Sequence, residues 1–305
     1  MTSHTVRVCG QARSADGLPR PWSPDSPAQR ARVPQPMPGP GRGSQASGRA
    51  EPVTRRISAL ADMRWPEVSE GRRRVLVVPV GSLEQHGPHL PLDTDTRIAV
   101  AVAHRACAGH GGVALAPAIA IGASGEHAAF PGTLSVGSAA LATCLMELGR
   151  HASLHWQALL LVNGHGGNTE ALAVATDRLR YEGRVCRAWH AALPGGDPHA
   201  GRTETSIMLS LAPQTVRMAA ATVGNTRSIE ELMPALRAGG VRAVSPNGVL
   251  GDPRGASAAE GQRLLAGLTA GLSDTLRGVL GDISAPTGSW SRRGVASGPG
   301  APAWR

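Results

Sequence analysis

The pattern of hydrophobic positions along the chain becomes regular only from about residue 75. The segment VLVVPV (75–80) is an apolar run that ends at a Gly-Ser pair, and ALLLVN (158–163) has the same character. Short apolar runs bounded by turn residues are typical of buried strands. The segments VALAPAIAI (113–121) and VCRAWHA (185–191) predict two further strands.

Helices are predicted between and after these strands. They run from Asp95 or Thr96 to Cys107, from Ser138 to about Trp156, from the turn NGHGGN to about Glu182, and onward from near Thr205. Two later helices begin with the sequence of a capping box, Ser228 with Glu231 and Ser257 with Glu260. This alternation of strand and helix predicts an α/β fold, a three-layer α/β/α sandwich with a largely parallel central sheet.

The two ends of the chain differ in composition from this regular part. Residues 1–62 are rich in Pro, Gly, Ser and Arg without apolar periodicity, and so are residues 286–305. Such segments cannot bury a core, so we predict disordered tails on either side of a folded domain at 63–285. The N-terminal tail either recruits an acidic partner or is a flexible or wrongly assigned start, in which case Met37 or Met63 would be the first residue.

The formal net charge of +9 comes from the two ends. Residues 1–74 contain 13 Arg and 6 acidic residues, residues 75–285 contain 15 and 16, and residues 286–305 contain 3 and none. Because the predicted domain is nearly neutral, we expect no nucleic-acid partner. All 31 cationic residues are Arg, which excludes a Schiff-base lysine and a P-loop lysine.

Cysteine usage and hydropathy indicate the compartment. The four Cys are scattered, without a CxxC pair, and therefore suggest neither a zinc ribbon nor a disulfide framework. No apolar run approaches the roughly 18 residues of a membrane span, and the N-terminus has no apolar signal-peptide core. We therefore expect a cytoplasmic protein without a membrane partner.

Acid and imidazole side chains gather directly after the predicted strands. Glu84, His86 and Asp95 follow the first strand, His165 follows ALLLVN, and His199 and Glu204 follow VCRAWHA. The carboxyl ends of strands in an open α/β sheet meet at one edge, where ligands bind. Carboxylates and imidazoles together form a nitrogen and oxygen ligand set that suits Zn, Mn or Fe(II).

The number of carboxylates favours a pair of cations. Glu84, Asp95 and Glu204 within a few ångströms would repel one another strongly, whereas two divalent cations sharing one hydroxide would neutralise them. A paired-metal site lowers the pKa of bound water and clamps the attacking and leaving oxygens. The expected reaction class is hydrolysis of a carbonyl compound.

Simpler interpretations exist for several of these residues. Glu84 could be a solvated loop acid, and Asp95 could be only a helix cap. His89 and Asp93 are expected to orient the ligands or to make turn contacts. Glu126 and His127, on the Gly-rich loop, either contact substrate or support the loop.

The ordered motifs resemble a known family. The segments PVGSLEQHGPHLPLDTD, GEHAAFPGTLSVG, VNGHGGN and PHAGRTETS, in this order, are similar to the creatininase (creatinine amidohydrolase) family over roughly residues 75–280. The later segments resemble most the peptidases of this family that process a small ribosomal peptide. The resemblance implies a binuclear metal site on a creatininase-like fold, and assembly as a homo-oligomer, usually a hexamer.

The resemblance also assigns roles to individual residues. Glu84, Asp95 and His165 would hold one metal, and His86, Asp95 and Glu204 the second, with Asp95 bridging. His199 matches the histidine that shuttles a proton to the leaving nitrogen. Creatininase has a glutamate where this chain has Gly167, which argues against creatinine as the substrate.

Three functions are therefore compared. The first is a metal-dependent amide hydrolase that releases a C-terminal dipeptide, Val-Tyr, from a modified precursor peptide. The second is an amidohydrolase of the same family acting on a small cyclic or formyl amide. The third is a non-catalytic metal-binding scaffold whose basic tail recruits partners. Phe130, Tyr181 and Trp189 are the candidates for recognising an aromatic substrate group.

Overall fold

The computed structural model describes residues 58–70 and 74–284. The predicted tails lie outside these residues, apart from a short part of the first one. Within that part the chain differs from the expected disorder, because Ser58–Ala59 forms strand β1 and Leu60–Asp62 a 3-10 helix. Ser58 is in parallel register with Ala114, so pairing with a neighbouring strand explains the order that composition did not predict.

The described residues alternate strands and helices from β1 onward. The other strands are β2 (Val75–Val80), β3 (Val113–Leu115), β4 (Ala158–Asn163) and β5 (Cys186–His190). The α-helices are α1 (Trp65–Glu70), α2 (Thr94–Cys107), α3 (Ser138–Ala152), α4 (Thr169–Tyr181), α5 (Arg202–Leu211), α6 (Ile229–Val244) and α7 (Ala258–Asp282). Further 3-10 helices lie at Gly125–His127, Gly166–Asn168, Pro213–Thr215 and Met218–Ala220.

The five strands form one parallel sheet in the order β1-β3-β2-β4-β5. Strands β2 and β4 lie at its centre, and every residue of both is buried. Strands covered on both faces are expected to be apolar throughout, which explains the unbroken runs VLVVPV and ALLLV. The predicted parallel sheet is confirmed.

Two hydrophobic cores cover the two faces of the sheet. Alternate residues of β2, such as Val75 and Val77, pack with α2, α5 and α7, while Leu76 and Val78 pack with α3 and α4. This division follows from the two-residue period of a strand, which sends successive side chains to opposite faces. The predicted three-layer α/β/α sandwich is therefore confirmed.

Several element boundaries differ from the prediction. The paired residues of β3 stop at Leu115, and pairing resumes only as a bridge between Val80 and Ile119. The N–H of Ala116 still donates to Val77, but the next donor to β2 is the N–H of Ile119, one residue later than a regular ladder requires. Helix α3 ends at Ala152, before the expected Trp156. These differences shorten elements without moving the loops that follow them.

Of the two predicted capping boxes, one forms completely. Ser228 and Glu231 satisfy each other's backbone N–H groups at the start of α6. Ser257 caps α7 through the N–H of Glu260, but the carboxylate of Glu260 binds Arg202 and Ser206 instead. The second box is half-formed because a tertiary ion pair competes for the carboxylate.

Helix α6 carries its own small core beside the sheet. Leu232 and Val241 pack with Leu250, and the helix is broken at Gly240, where φ is 70°. In the described part of the chain no helix is long and apolar enough to cross a membrane.

Candidate metal centre

The carboxyl ends of β2, β4 and β5 lie side by side. Val80 is in register with Asn163, and Asn163 is in register with His190. The loops that follow these ends, and the first turns of the helices after them, carry all six residues predicted for the site: Glu84, His86, Asp95, His165, His199 and Glu204. The parallel sheet thus brings residues distant in sequence to one edge, as predicted.

The six side chains form one cluster that is largely shielded from solvent. Five of them are buried, and the side chain of Glu204 is 19% exposed. Ligand-type atoms lie within 4.8 Å of one another in three overlapping groups: Glu84 with His86 and Asp95, His86 with His199 and Glu204, and Glu84 with His127 and His199. His165 is in none of these groups, although its Nε2 lies 3.1 Å from Glu84 Oε2 and its Nδ1 lies 3.1 Å from Asp95 Oδ2.

Asp95 lies between two histidines. Its Oδ1 is 3.0 Å from His86 Nε2, and its Oδ2 is 3.1 Å from His165 Nδ1. The hydroxyl of Ser82 donates to Oδ2 at 2.9 Å. Asp95 is the second residue of α2, so the first turn of this helix fixes it, and the N-cap residue of the helix is Asp93.

The ring of His86 is oriented by the backbone. Its Nδ1 lies 3.1 Å from the carbonyl oxygen of Glu84, which can only accept a hydrogen bond, so Nδ1 carries the proton. In the neutral ring Nε2 then has the lone pair, and it faces Asp95 and, at 3.9 Å, Glu204 Oε2. A backbone carbonyl behind an imidazole is the usual arrangement for a metal-ligating histidine.

Glu204 is held at the start of α5. The N–H of Ala200 donates to its Oε2 at 2.6 Å, and Ala200 has a φ of 53°. A positive φ is uncommon for a residue with a β-carbon and costs free energy. The loop thus adopts a strained conformation at the point where it presents His199 and Glu204.

The carboxylate of Glu84 is fully buried and is not satisfied by the protein. His165 Nε2 approaches its Oε2 at 3.1 Å and His127 Nε2 approaches its Oε1 at 3.3 Å. Neither nitrogen is aligned for a hydrogen bond, and among the described residues both oxygens have no hydrogen-bond partner. A buried, unsatisfied carboxylate is costly unless a cation compensates it, so the residues present fit a divalent metal centre.

His199 and His127 are oriented by Gln85. The amide nitrogen of Gln85 has two hydrogens, which are satisfied by His127 Nδ1 at 2.9 Å and the carbonyl of Gly248 at 3.0 Å. His199 Nε2 lies 2.9 Å from the Gln85 carbonyl and therefore donates to it. These bonds place the lone pair of neutral His199 on Nδ1, 3.8 Å from Glu84 Oε1.

The acids and imidazoles shift one another's pKa values. Burial lowers the pKa of His86, but Asp95, Glu204 and Glu84 together outweigh burial and raise it to about 10. Burial raises the pKa of Glu204 to about 7, against the attraction of His86. Burial would raise the pKa of Asp95, yet His86 and His165 hold it well below the usual value. Without metal, the raised pKa values of His86 and Glu204 keep protons on groups assigned to bind cations, and a binding metal ion must displace these protons.

His199 behaves differently from His86. Burial, together with the charges of His86 and His127, holds the pKa of His199 well below its ordinary value. At neutral pH its imidazole is therefore uncharged, with Nδ1 able to accept a proton.

Comparison with known proteins agrees with this geometry. The family model for creatininase, creatinine amidohydrolase, matches residues 61–276. The chain belongs to the creatininase family. Membership of this amidohydrolase family identifies it as a hydrolase that acts on C–N bonds, as the sequence predicted.

Individual relatives support the same assignment. The mycofactocin precursor peptide peptidase of Mycolicibacterium smegmatis is 52% identical over 208 residues, which are 67% of this chain and 84% of the relative. The Mycobacterium tuberculosis protein of the same description is 46% identical over 249 residues, covering 79% and 96%. A solved creatininase with manganese superposes with a TM-score of 0.57 at 25% identity, covering 73% of this chain and 98% of that one.

Some residues of the creatininase-like site could not be assigned to it from the sequence. His127 is buried beside Glu84, although the sequence did not decide between substrate contact and loop architecture. Gln85 was not predicted at all, and its position between Glu84 and His86 was the available signal. His89 and Asp93 make supporting contacts beside the cluster. His89 Nε2 is hydrogen-bonded to Thr205, the residue after Glu204, and Asp93 binds Arg97 at the start of α2.

Glycines allow the loops of this creatininase-like site to approach closely. A β-carbon at Gly164 would lie 2.4 Å from the carbonyl oxygen of Asp95. At Gly167 it would lie 2.3 Å from Glu126 Oε1 and 2.5 Å from the carbonyl oxygen of Ala123. The position at which creatininase has a glutamate is thus packed against the backbone here, and the carboxylate of Glu126 occupies the adjoining space.

The aromatic candidates are widely separated. Tyr181 ends α4, and 13 residues of helix correspond to roughly 20 Å between it and the edge where the helix begins. Trp189 packs into the core beside α7. Phe130, under the guanidinium of Arg242, is the candidate that follows the 3-10 helix containing Glu126 and His127.

Proposed function

We propose that the protein is a metal-dependent peptidase that releases a C-terminal dipeptide, Val-Tyr, from the modified mycofactocin precursor peptide during mycofactocin biosynthesis. The observation that carries the proposal is the buried cluster of three carboxylates and several imidazoles, with both oxygens of Glu84 unsatisfied. Similarity to the mycofactocin precursor peptide peptidases, at 46% and 52% identity, supports the choice of substrate.

We assign five residues to hold two divalent cations, which we take to be Zn, Fe(II) or Mn. Glu84, Asp95 and His165 would hold one, and His86, Asp95 and Glu204 the other. The contacts of Asp95 with both His86 and His165 support its bridging role. The lone pair of His86 Nε2, directed at Asp95 and Glu204, supports its role as a ligand.

Bound divalent cations would supply an activated water and polarise the scissile carbonyl group. His199 is the residue assigned to move protons, because its Nδ1 is uncharged at neutral pH and faces Glu84. A proton accepted at this nitrogen can be delivered to the leaving amine, as in general acid–base catalysis. The Nε2–H of His127, fixed by Gln85, is available as a donor on the same side.

The test is cleavage of the modified precursor peptide by the purified, metal-loaded protein. Mass spectrometry should detect the free dipeptide and the shortened peptide, and Glu204→Gln should release neither. A precursor that lacks its last two residues is the matched substrate control and should be unchanged. Absence of the dipeptide from an intact, metal-loaded preparation would contradict the proposed specificity.

The second candidate is hydrolysis of a small cyclic or formyl amide. Gly167, which is tightly packed, provides no acid at that position, and hydrolysis of such an amide is compatible with this. A panel of creatinine and formylated amines distinguishes the two candidates, because the peptidase should require an extended C-terminus. Turnover of the small amides without peptide cleavage would establish this second function in place of the first.

A non-catalytic scaffold makes the opposite prediction for the same variants. Deletion of residues 1–57, which leaves β1 intact, would abolish a scaffold's role, while Glu204→Gln would preserve it. We propose the reverse outcome for both variants. The proposal also includes a cytoplasmic location, the absence of nucleic-acid and membrane partners, and assembly as a homo-oligomer, by resemblance a hexamer. Light scattering measures the oligomeric state.

A further inference from the structure

Glu126 lies against the cluster but has no role in the function proposed above. It belongs to the 3-10 helix Gly125–His127, in the long Gly-rich loop after β3. Its Oε1 is 3.3 Å from His165 Nε2, and its side chain is 34% exposed. It therefore lies in the wall of the cluster, with one side toward solvent.

The position of Glu126 is fixed from two sides. A β-carbon at Gly167 would lie 2.3 Å from its Oε1, so the absence of a side chain at 167 makes room for this carboxylate. A β-carbon at Gly240 would lie 2.6 Å from its carbonyl oxygen, so the break in α6 allows that helix to contact its backbone. Two glycines from different elements thus shape the space that Glu126 fills.

The contacts of His165 indicate what this carboxylate does. Three oxygens approach its Nε2: the carbonyl of Ala123 at 3.1 Å, Glu84 Oε2 at 3.1 Å and Glu126 Oε1 at 3.3 Å. An imidazole nitrogen surrounded by acceptors carries a proton, so the lone pair of neutral His165 is on Nδ1, which faces Asp95. The carbonyl of Ala123 is the hydrogen-bond acceptor of this Nε2–H. If Glu84 is drawn to a cation, Glu126 is the remaining carboxylate that can share the same hydrogen.

We propose that Glu126 is a positioning residue of the metal centre, which shares the Nε2–H of His165 with the carbonyl of Ala123 and thereby directs Nδ1 to the cation bound at Asp95. The inference rests on the proposed metal centre. It adds a carboxylate that stands behind a ligating imidazole, an arrangement that fixes the ring and raises its basicity. It also explains how this chain keeps an acid at the cluster without one at position 167.

The test is the affinity of the full-length protein for Zn²⁺, measured by competition with a chromophoric chelator. Loss of an outer partner of a ligating histidine typically weakens metal binding by about 10- to 100-fold, and we expect this for Glu126→Ala. Glu126→Gln keeps an acceptor oxygen and should lose less. Glu170→Ala removes an exposed acid from the first turn of α4 and should bind Zn²⁺ within about twofold of the unaltered protein.

The outcomes separate this inference from the proposed function. Zn²⁺ affinity within about twofold of the unaltered protein in Glu126→Ala, or an equal loss in Glu170→Ala, would overturn the role of Glu126. Thermal unfolding of the metal-free variants shows whether each is folded, and the Gln variant serves if the Ala variant is not. A protein that binds Zn²⁺ tightly but cleaves no peptide would contradict the proposed function and leave the role of Glu126 supported by its own affinity data.

Discussion

At the scale of single residues, the role of each side chain in the cluster follows from which of its polar atoms have hydrogen-bond partners. Gln85 has two amide hydrogens and one amide oxygen, and each has a partner, with Oε1 accepting from the N–H of Gly87. This leaves His199 Nδ1 free to exchange protons. The carboxylate of Glu84 is the opposite case, since burial without a partner among the described residues makes it a group that needs a cation.

His199→Ala tests the division between ligands and the proton carrier. We expect the variant to retain its metal, because none of the assigned ligands is removed, while turnover falls by about 10² to 10⁴-fold. Metal analysis and peptide cleavage on the same preparation provide the two readouts. Loss of metal from this variant would make His199 a ligand and contradict its assigned role.

The pH dependence of stability tests the charges of the metal-free cluster. The neighbouring acids raise the pKa of His86 to about 10 and also raise that of His165. The folded protein therefore holds protons that the unfolded chain releases above pH 6.5. Stability from these groups is complete below pH 6.5 and is lost as pH rises toward 10. We expect the metal-free protein to lose up to about 1.4 kcal/mol per pH unit for each such proton between pH 7 and 8.5.

Denaturant unfolding in the presence of a chelator measures this slope. The range stops below pH 9 because Cys107 and Cys186, whose burial raises their pKa values to about 12, add a slope of the same sign above that value. His86→Gln should show a shallower slope than the unaltered protein. Stability that rises with pH over this range would contradict the arrangement of charges.

At the scale of elements, the strands that define the site could be predicted because their apolar runs are continuous. β4 has the predicted bounds, and β2 begins and ends as expected. The length of β3 was overestimated, because the sequence does not show that its pairing with β2 shifts by one residue after Leu115. β1 was missed because a two-residue strand depends on a partner far along the chain.

The candidate site was predictable to a similar extent. Its acids and imidazoles follow strand ends. Because the carboxyl ends of parallel strands lie at one edge of the sheet, the sequence was enough to predict that these side chains lie close together. Gln85 and Glu126 could not be assigned in this way. Their roles depend on three-dimensional contacts, with two histidines in one case and with the space beside a glycine in the other.

Gly167→Ala tests the close packing of the turn that follows β4. Its β-carbon would lie 2.5 Å from the backbone carbonyl of Ala123, so we expect a loss of about 1 to 3 kcal/mol in the free energy of unfolding. Gly166→Ala is the matched control, because a β-carbon there meets no described atom within 4 Å, and it should change stability by less than about 0.5 kcal/mol. Equal effects of the two substitutions, measured by denaturant titration, would contradict the packing argument.

At the scale of the whole molecule, the sheet supports the cluster from both faces. The core around α2, α5 and α7 fixes the helices that present Asp95 and Glu204, and the core around α3 and α4 fixes the turn that presents His165. Two of the three strands that lead to the ligands, β2 and β4, are buried along their whole length between these cores. Metal binding should therefore stabilise the whole domain, in proportion to the affinity and the free metal concentration.

Metal content per protein chain, measured by mass spectrometry after Zn²⁺ loading and removal of free metal, tests the central claim most directly. We expect about two equivalents for the unaltered protein and for Asp93→Asn, a partly exposed neighbour that binds Arg97. Asp95→Asn removes the carboxylate between His86 and His165 and should retain less than about one equivalent. Undiminished metal content in Asp95→Asn would contradict a paired-cation centre bridged by this residue.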